Sequence, residues 1–128
     1  MSPQPHGVIL KASDFKIQGK KVYINPSKTK SVPGMLLIFG NFCSYCHRFM
    51  PTFNEIADNI GKGYTCMSIE SEELKGQDAL ISALDFQGYP TICFVSQNGL
   101  IMNQYNGSRD KKSILNEICN NFHQCYTF

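Results

Sequence analysis

Met35-Leu36-Leu37-Ile38-Phe39 constrains this chain more than any other stretch. Five consecutive apolar residues read as a fully buried strand. A short turn, Gly40-Asn41-Phe42, follows, and the pair Cys43-Ser44-Tyr45-Cys46 falls where a helical pattern begins. Phe49, Phe53, Ile56, Ala57 and Ile60 recur at helical spacing and carry that helix from Cys43 to about Asn59, where Gly61-Lys62-Gly63 stops it. Two thiols two residues apart at a helix start face each other across its first turn. The free N–H groups and the helix dipole there favour a thiolate on the first of them. Such a pair suits thiol–disulfide exchange, with Cys43 attacking and Cys46 resolving the mixed disulfide.

The remaining pattern builds a sheet around that strand. Residues 1–6 are Pro-rich and expected to be loose, leaving 7–128 as one domain. Val8-Ile9-Leu10 is a short strand, Ser13-Asp14-Phe15 a turn, and Lys20 to Ile24 an edge strand with Lys on its rim. Ser27 to Gly34 is a polar loop. Tyr64 to Ile69 is strand-like, and Ala79, Leu80, Ala83, Leu84 and Phe86 mark a shorter amphipathic helix. Thr91 to Val95 and Leu100 to Tyr105 are strands joined around Asn98-Gly99, a strong hairpin signal. Ser108 to Phe122 closes as a helix with Ile114, Leu115, Ile118 and Phe122 on its apolar face. This order predicts an α/β fold, a central mixed sheet with helices on both faces.

Composition narrows the function classes. At 128 residues one domain can bury its own core, and a net charge of +2 gives no reason to expect nucleic acid or a membrane surface as a partner. No stretch is long enough to span a bilayer. The first residues carry no secretory pattern, so a cytoplasmic location is expected. Six cysteines are too few for a disulfide scaffold at this length, and a reducing compartment is the simpler expectation. Cys66 and Cys93 fall in apolar runs and read as small buried hydrophobes. Cys119 and Cys125 are open to three readings, a secondary disulfide, an intermolecular handle or plain free thiols, of which free thiols are favoured.

With these residues in place, the chain resembles thioredoxin-fold proteins, and in particular a catalytic domain of protein disulfide isomerase. The resemblance covers roughly residues 35–118 and rests on four features. They are the strand running into Phe42-Cys43-Ser44-Tyr45-Cys46, Pro51 five residues past the second Cys, Gly88-Tyr89-Pro90-Thr91, and Tyr105-Asn106-Gly107-Ser108-Arg109 before the last helix. It implies that Cys43 is the nucleophile, Cys46 the resolving thiol and Pro90 a cis proline. The proline loop would lie against the thiols and offer the Tyr89 backbone to a substrate peptide as an added strand. Phe42, Ser44, Tyr45, Tyr89 and Pro90 would then contact substrate. Arg109 sits where disulfide isomerases have an arginine proposed to lower the second thiol's pKa; the alternative is a solvated residue at a helix start. The resemblance implies no metal and no cofactor. Its partners would be protein thiols and disulfides and a recycling reductase or sulfhydryl oxidase. A monomer is expected. Compact domains of this kind occur in cytosol and in large cytoplasmic DNA viruses.

Several positions depart from the family. Phe42 stands where a Trp is usual. Leu37 occupies the place of a buried acid that helps deprotonate the resolving thiol, and the acid's Lys partner is expected near Cys66. These changes predict a slow second step and a longer-lived mixed disulfide unless Arg109 or His47 compensates. The Ser44-Tyr45 dipeptide is similar to glutaredoxin's, a family that binds glutathione and iron–sulfur clusters, but the Lys before that motif is missing. The first forty residues fit the family loosely and are expected to form a hairpin, as in membrane-linked thiol reductases.

Rival readings are weaker. Cys43-Ser44-Tyr45-Cys46-His47 spells a haem attachment pattern, but haem domains of that type are mainly helical. A zinc site would have to recruit Cys119, His123 and Cys125 from a distant helix. A thioredoxin-fold binding module without turnover commonly loses a motif cysteine, and this chain keeps both.

Overall fold

The computed structural model describes residues 3–128; Met1 and Ser2 of the expected loose terminus lie outside them. The strands are β1 Val8–Ile9, β2 Phe15–Gln18, β3 Lys21–Ile24, β4 Gly34–Phe39, β5 Thr65–Glu70, β6 Thr91–Val95 and β7 Ile101–Gln104. The helices are α1 Pro26–Thr29, α2 Ser44–Asn59, α3 Asp78–Leu84 and α4 Lys111–Phe122.

Five strands form one mixed sheet in the order β1-β5-β4-β6-β7. β4 is its centre, parallel to β5 and antiparallel to β6. All six β4 residues are buried, and they serve two cores in alternation. Met35, Leu37 and Phe39 face the core shared with Phe53 and Ile56 of α2 and Ile114 and Ile118 of α4. Leu36 and Ile38 face the opposite core with Leu80 and Leu84 of α3 and Val22 and Ile24 of β3. Period-two alternation with no polar face is what a strand covered on both sides requires.

Three N-terminal readings are corrected. Lys21–Ile24 does not sit alone as an edge strand: it pairs antiparallel with Phe15–Gln18 in a separate two-stranded sheet. Gly19, at φ +63°, closes that turn. The start of Ser27–Gly34 is a short helix instead of open loop, because Asn25 caps it through the Ser27 N–H and Pro26 fits its first position. Residues 4–6 are docked instead of loose. Pro5 is buried, the Gln4 carbonyl accepts from Asn54 Nδ2 at 3.0 Å, and His6 Nδ1 meets Asp58 Oδ1 at 2.9 Å.

The β6–β7 hairpin forms where Asn98-Gly99 placed it. Gly99 is obligatory: its φ is +88°, and a Cβ there would collide with the Ile24 carbonyl oxygen. That close approach lets Ile24 N–H donate to the Gly99 carbonyl at 2.8 Å and ties β3 to the main sheet.

At the far end of α4 the expectation of free thiols fails, because Cys119 and Cys125 form a disulfide. His123 takes the left-handed conformation after α4 (φ 57°), which turns the chain back and brings Cys125 to within 4.4 Å, Cα to Cα, of Cys119.

Cys66 and Cys93 are free and buried, one in each core, and burial pushes both thiols from 9.0 up to about 12. Raised acid pKa values in the fold mean that the unfolded chain releases protons first. Stability is therefore full below pH 9 and is lost as pH rises from 9 toward 12, by about 1.4 kcal/mol per pH unit for each thiol. Urea unfolding at pH 8.5 and 10.5 should show this loss, with a smaller loss in Cys93→Ala. Equal losses in the two proteins would contradict the assignment.

Candidate active site

The site forms where β4 ends and α2 begins. Cys43 is the N-cap of α2, and its Sγ accepts the Cys46 N–H at 3.4 Å. The Cys43 N–H donates to the Gly40 carbonyl at 3.0 Å, which fixes the turn behind it. The Tyr89–Pro90 bond is cis, and the Tyr89 carbonyl accepts the Cys43 thiol at 3.5 Å. Sequence positions 43 and 89 thus meet at one sulfur.

The two thiols differ sharply in access. Cys43 is half-buried, whereas Cys46 is 1% exposed and packs among Leu37, Phe39, Phe49 and Phe53. Desolvation dominates at Cys46 and pushes its thiol from 9.0 up to about 12, assisted by Cys43 and opposed by a hydrogen bond with the Gly40 backbone and the positive charge of Arg109. Arg109 is exposed and precedes the Asp110 N-cap, so it lies just before α4 and not in its first turn. Its charge nevertheless reaches the thiol.

Aromatic rings surround the cysteines. Phe42 is 74% exposed, and its ring meets Tyr89 edge-on at 5.5 Å. Tyr45 is 58% exposed with the Arg48 guanidinium 5.4 Å from its ring, and Ser44 is exposed beside it. A cleft of about 360 Å³ continues from Tyr89, Pro90 and Thr91 to Gln104, Tyr105 and Arg109. Among the sequence-derived candidates, Phe42, Cys43, Cys46, Tyr89 and Pro90 gather at the site, Ser44 and Tyr45 border it, and Arg109 sits across the cleft.

Glu70 escaped sequence reasoning, and His47 takes a different place from the one considered for it. Glu70, at the end of β5, accepts the Asn41 N–H at 3.1 Å, the Ser71 hydroxyl at 2.8 Å and the Glu72 N–H at 2.9 Å. Burial raises this carboxyl, but those donors outweigh it and hold Glu70 below the usual range. His47, named above only as a residue that could compensate for the missing acid, is half-buried and donates from Nε2 to the Asn41 carbonyl at 2.6 Å. Asn41 is therefore gripped at both its N–H and its carbonyl, which steadies the turn presenting Cys43. An acid closing a buried strand was the available signal for Glu70.

Leu37, where the resemblance leads one to expect an acid, is buried in the apolar core with Cys46. The register sets Leu37 opposite Ser68, so the Lys-partner position is Ser68, two residues beyond Cys66, which pairs with Met35. Ser68 is fully buried and its hydroxyl has no partner among the described residues. Of the distant set considered for zinc, Cys119 and Cys125 are bonded to each other. Among the described residues no group of three or more His, Cys, Asp or Glu is placed to hold a metal, and no helix is long and apolar enough to cross a membrane.

Comparison with known proteins identifies the family and the fold. The thioredoxin family model matches residues 21–120, and the chain belongs to the thioredoxin family. It is similar to protein disulfide-isomerase A4 of Bos taurus, 25% identical over 84 residues. The match takes in 66% of this chain and 13% of that protein, so the chain spans a small part of the relative's length. Among solved structures, the J-Trx1 fragment of ERdj5 gives a TM-score of 0.67 at 16% identity, covering 91% of this chain and 52% of that one. The Trx4 domain of ERdj5 gives 0.67 at 15%, covering 91% and 96%. The exposed lipoprotein thioredoxin of Streptococcus pneumoniae gives 0.62 at 21%, covering 78% and 92%. At these identities the structural likeness shows the fold.

The burial difference predicts ordered labelling. In the reduced protein at pH 7–9, iodoacetamide should modify Cys43 first and leave Cys46 largely untouched. Cys46 labelling should climb about tenfold per pH unit without a plateau up to pH 10. Arg109→Met removes a charge that favours the thiolate and should slow Cys46 labelling severalfold at every pH. Mass mapping reads both sites; equal labelling of Cys43 and Cys46 at pH 8 would refute the asymmetry.

Proposed function

We propose that the protein is a thiol–disulfide oxidoreductase acting on protein disulfides through Cys43 and Cys46. The observation that carries this reading is the asymmetry of the pair: one sulfur reachable at a helix N-terminus, the other sealed behind it within the same turn. The Cys43 thiolate attacks a substrate disulfide, the S–S bond breaks, and the departing substrate sulfur takes a proton. Negative charge moving onto or off Cys43 Sγ meets the Cys46 N–H and the helix end. Cys46 then gives up its proton and attacks Cys43 Sγ. The second substrate thiol leaves, and Cys43 and Cys46 end as a disulfide, two electrons having passed to the substrate. The reverse sequence oxidises a dithiol.

Resolution is the difficult half. Cys46 must ionise inside an apolar wall, and Leu37 offers no acid to accept its proton. Arg109, acting across the cleft, is the charge that helps, and its role is to promote release of the mixed disulfide. Phe42, Tyr45 and Tyr89 present rings to the flanks of a bound peptide, while Ser44 leaves room beside the motif. Recycling falls to a separate reductase or a sulfhydryl oxidase, whose identity sets the direction of net flow.

Mixing the reduced protein with a disulfide-bonded peptide and quenching in acid tests this account. A Cys43-linked mixed disulfide should accumulate even with Cys46 intact. Arg109→Ala should lengthen its lifetime by severalfold while leaving its formation rate within twofold. Cys46→Ser should make it permanent, and Cys43→Ser should abolish it. Rapid release with no accumulated adduct would sink slow resolution; an adduct on another cysteine would sink the assignment of Cys43.

A further inference from the structure

We propose that Cys119–Cys125 is a second redox centre, separate from Cys43–Cys46, which exchanges with low-molecular-weight thiols and sets whether residues 123–128 lie across the Tyr64–Phe122 face. The inference does not depend on the oxidoreductase reading of the first pair.

The placement of the two sulfurs supports exchange. Cys119 is half-buried on the last turn of α4, and Cys125 is exposed on the returning segment. A thiolate from solution can therefore reach Cys125 Sγ. Attack there breaks the S–S bond, and Cys119 leaves and takes up a proton. A second thiol then frees Cys125, so two monothiols become one disulfide and the protein gains two thiols. Glutathione supplies the chemical class required.

What the bond restrains is visible in the packing. After the left-handed turn at His123, the chain runs back along α4. The Tyr126 ring lies 6.4 Å from Tyr64, which in turn packs 5.8 Å from Phe122. Further on, the Phe128 ring lies 5.3 Å from Lys111 Nζ at the other end of α4, and Lys111 also pairs with Glu55 of α2 at 2.8 Å. Segment 123–128 is thus a strap over the α2–α4 side. Tyr126 is its one ring packed against the core, and Phe128 is 39% exposed. Ordering six residues on so few contacts is entropically costly once the covalent tether is gone. Beneath the strap lie Tyr64 and Cys66, now 3% and 5% exposed.

The test uses the full chain equilibrated in glutathione redox buffers, with alkylation and mass mapping of each cysteine. Hydrogen exchange of residues 119–128 is followed in parallel, together with the labelling rate of Cys66. Cys119 and Cys125 should become alkylatable together. With that step, exchange across 123–128 and Cys66 labelling should each accelerate at least tenfold, while β4 amides stay unchanged. Cys125→Ser should show the released state in oxidising buffer. The proposal is overturned if the pair resists glutathione until the fold unfolds. It is equally overturned if the pair is reduced and the strap's exchange and Cys66 labelling do not change.

Discussion

Burial of β4 on both faces is the constraint on which the rest of the structure depends. Because Met35 through Phe39 supply two cores at once, α2 and α4 must cover one face while α3 and the β2–β3 hairpin cover the other. The strand therefore ends at a fixed point, and Gly40, itself buried, begins the turn that delivers Cys43 to the first residue before α2. Fully burying one Leu, Ile, Met or Phe side chain is worth about 1.5–3 kcal/mol relative to leaving it exposed, so a strand of five such residues anchors its end firmly. The reacting sulfur owes its position to that anchoring.

The same constraint shapes the chemistry. A Leu at position 37 packs the core beneath Cys46 better than an acid would, and it removes the proton acceptor that the resemblance leads one to look for. Desolvation then dominates at Cys46, and the backbone at Gly40 and the charge of Arg109 only partly offset it. Around Cys43 the balance differs: an N–H from within α2, a carbonyl from the proline loop and a turn held by Glu70 and His47 converge on an accessible sulfur. One wall of the site is built for packing and the other for polar contact.

Much of this was legible in the letters because it rests on local pattern. The continuous apolar run gave β4, helical spacing gave α2, and Asn98-Gly99 gave the β6–β7 hairpin. Phe15–Gln18 was missed because four residues alternating about a Gly turn carry little signal until Val22 and Ile24 dock on α3. The Cys119–Cys125 bond depends on a left-handed His123, a conformation not expected of that residue type in advance. Docking of residues 4–6 and the grip of Glu70 on Asn41 span 29 residues or more in sequence, and only the folded chain brings them together. Arg109 was placed by family likeness, while the effect of its charge on Cys46 shows only in the folded chain.

The most direct measurement is the equilibrium of Cys43 and Cys46 with glutathione, read by alkylation and mass mapping. The account predicts a two-electron couple in which Cys43 and Cys46 pair only with each other, separate from any step at Cys119–Cys125, with Cys66 and Cys93 entering no disulfide in the folded protein. No couple at Cys43–Cys46, or a couple that draws in Cys66 or Cys93, would contradict it.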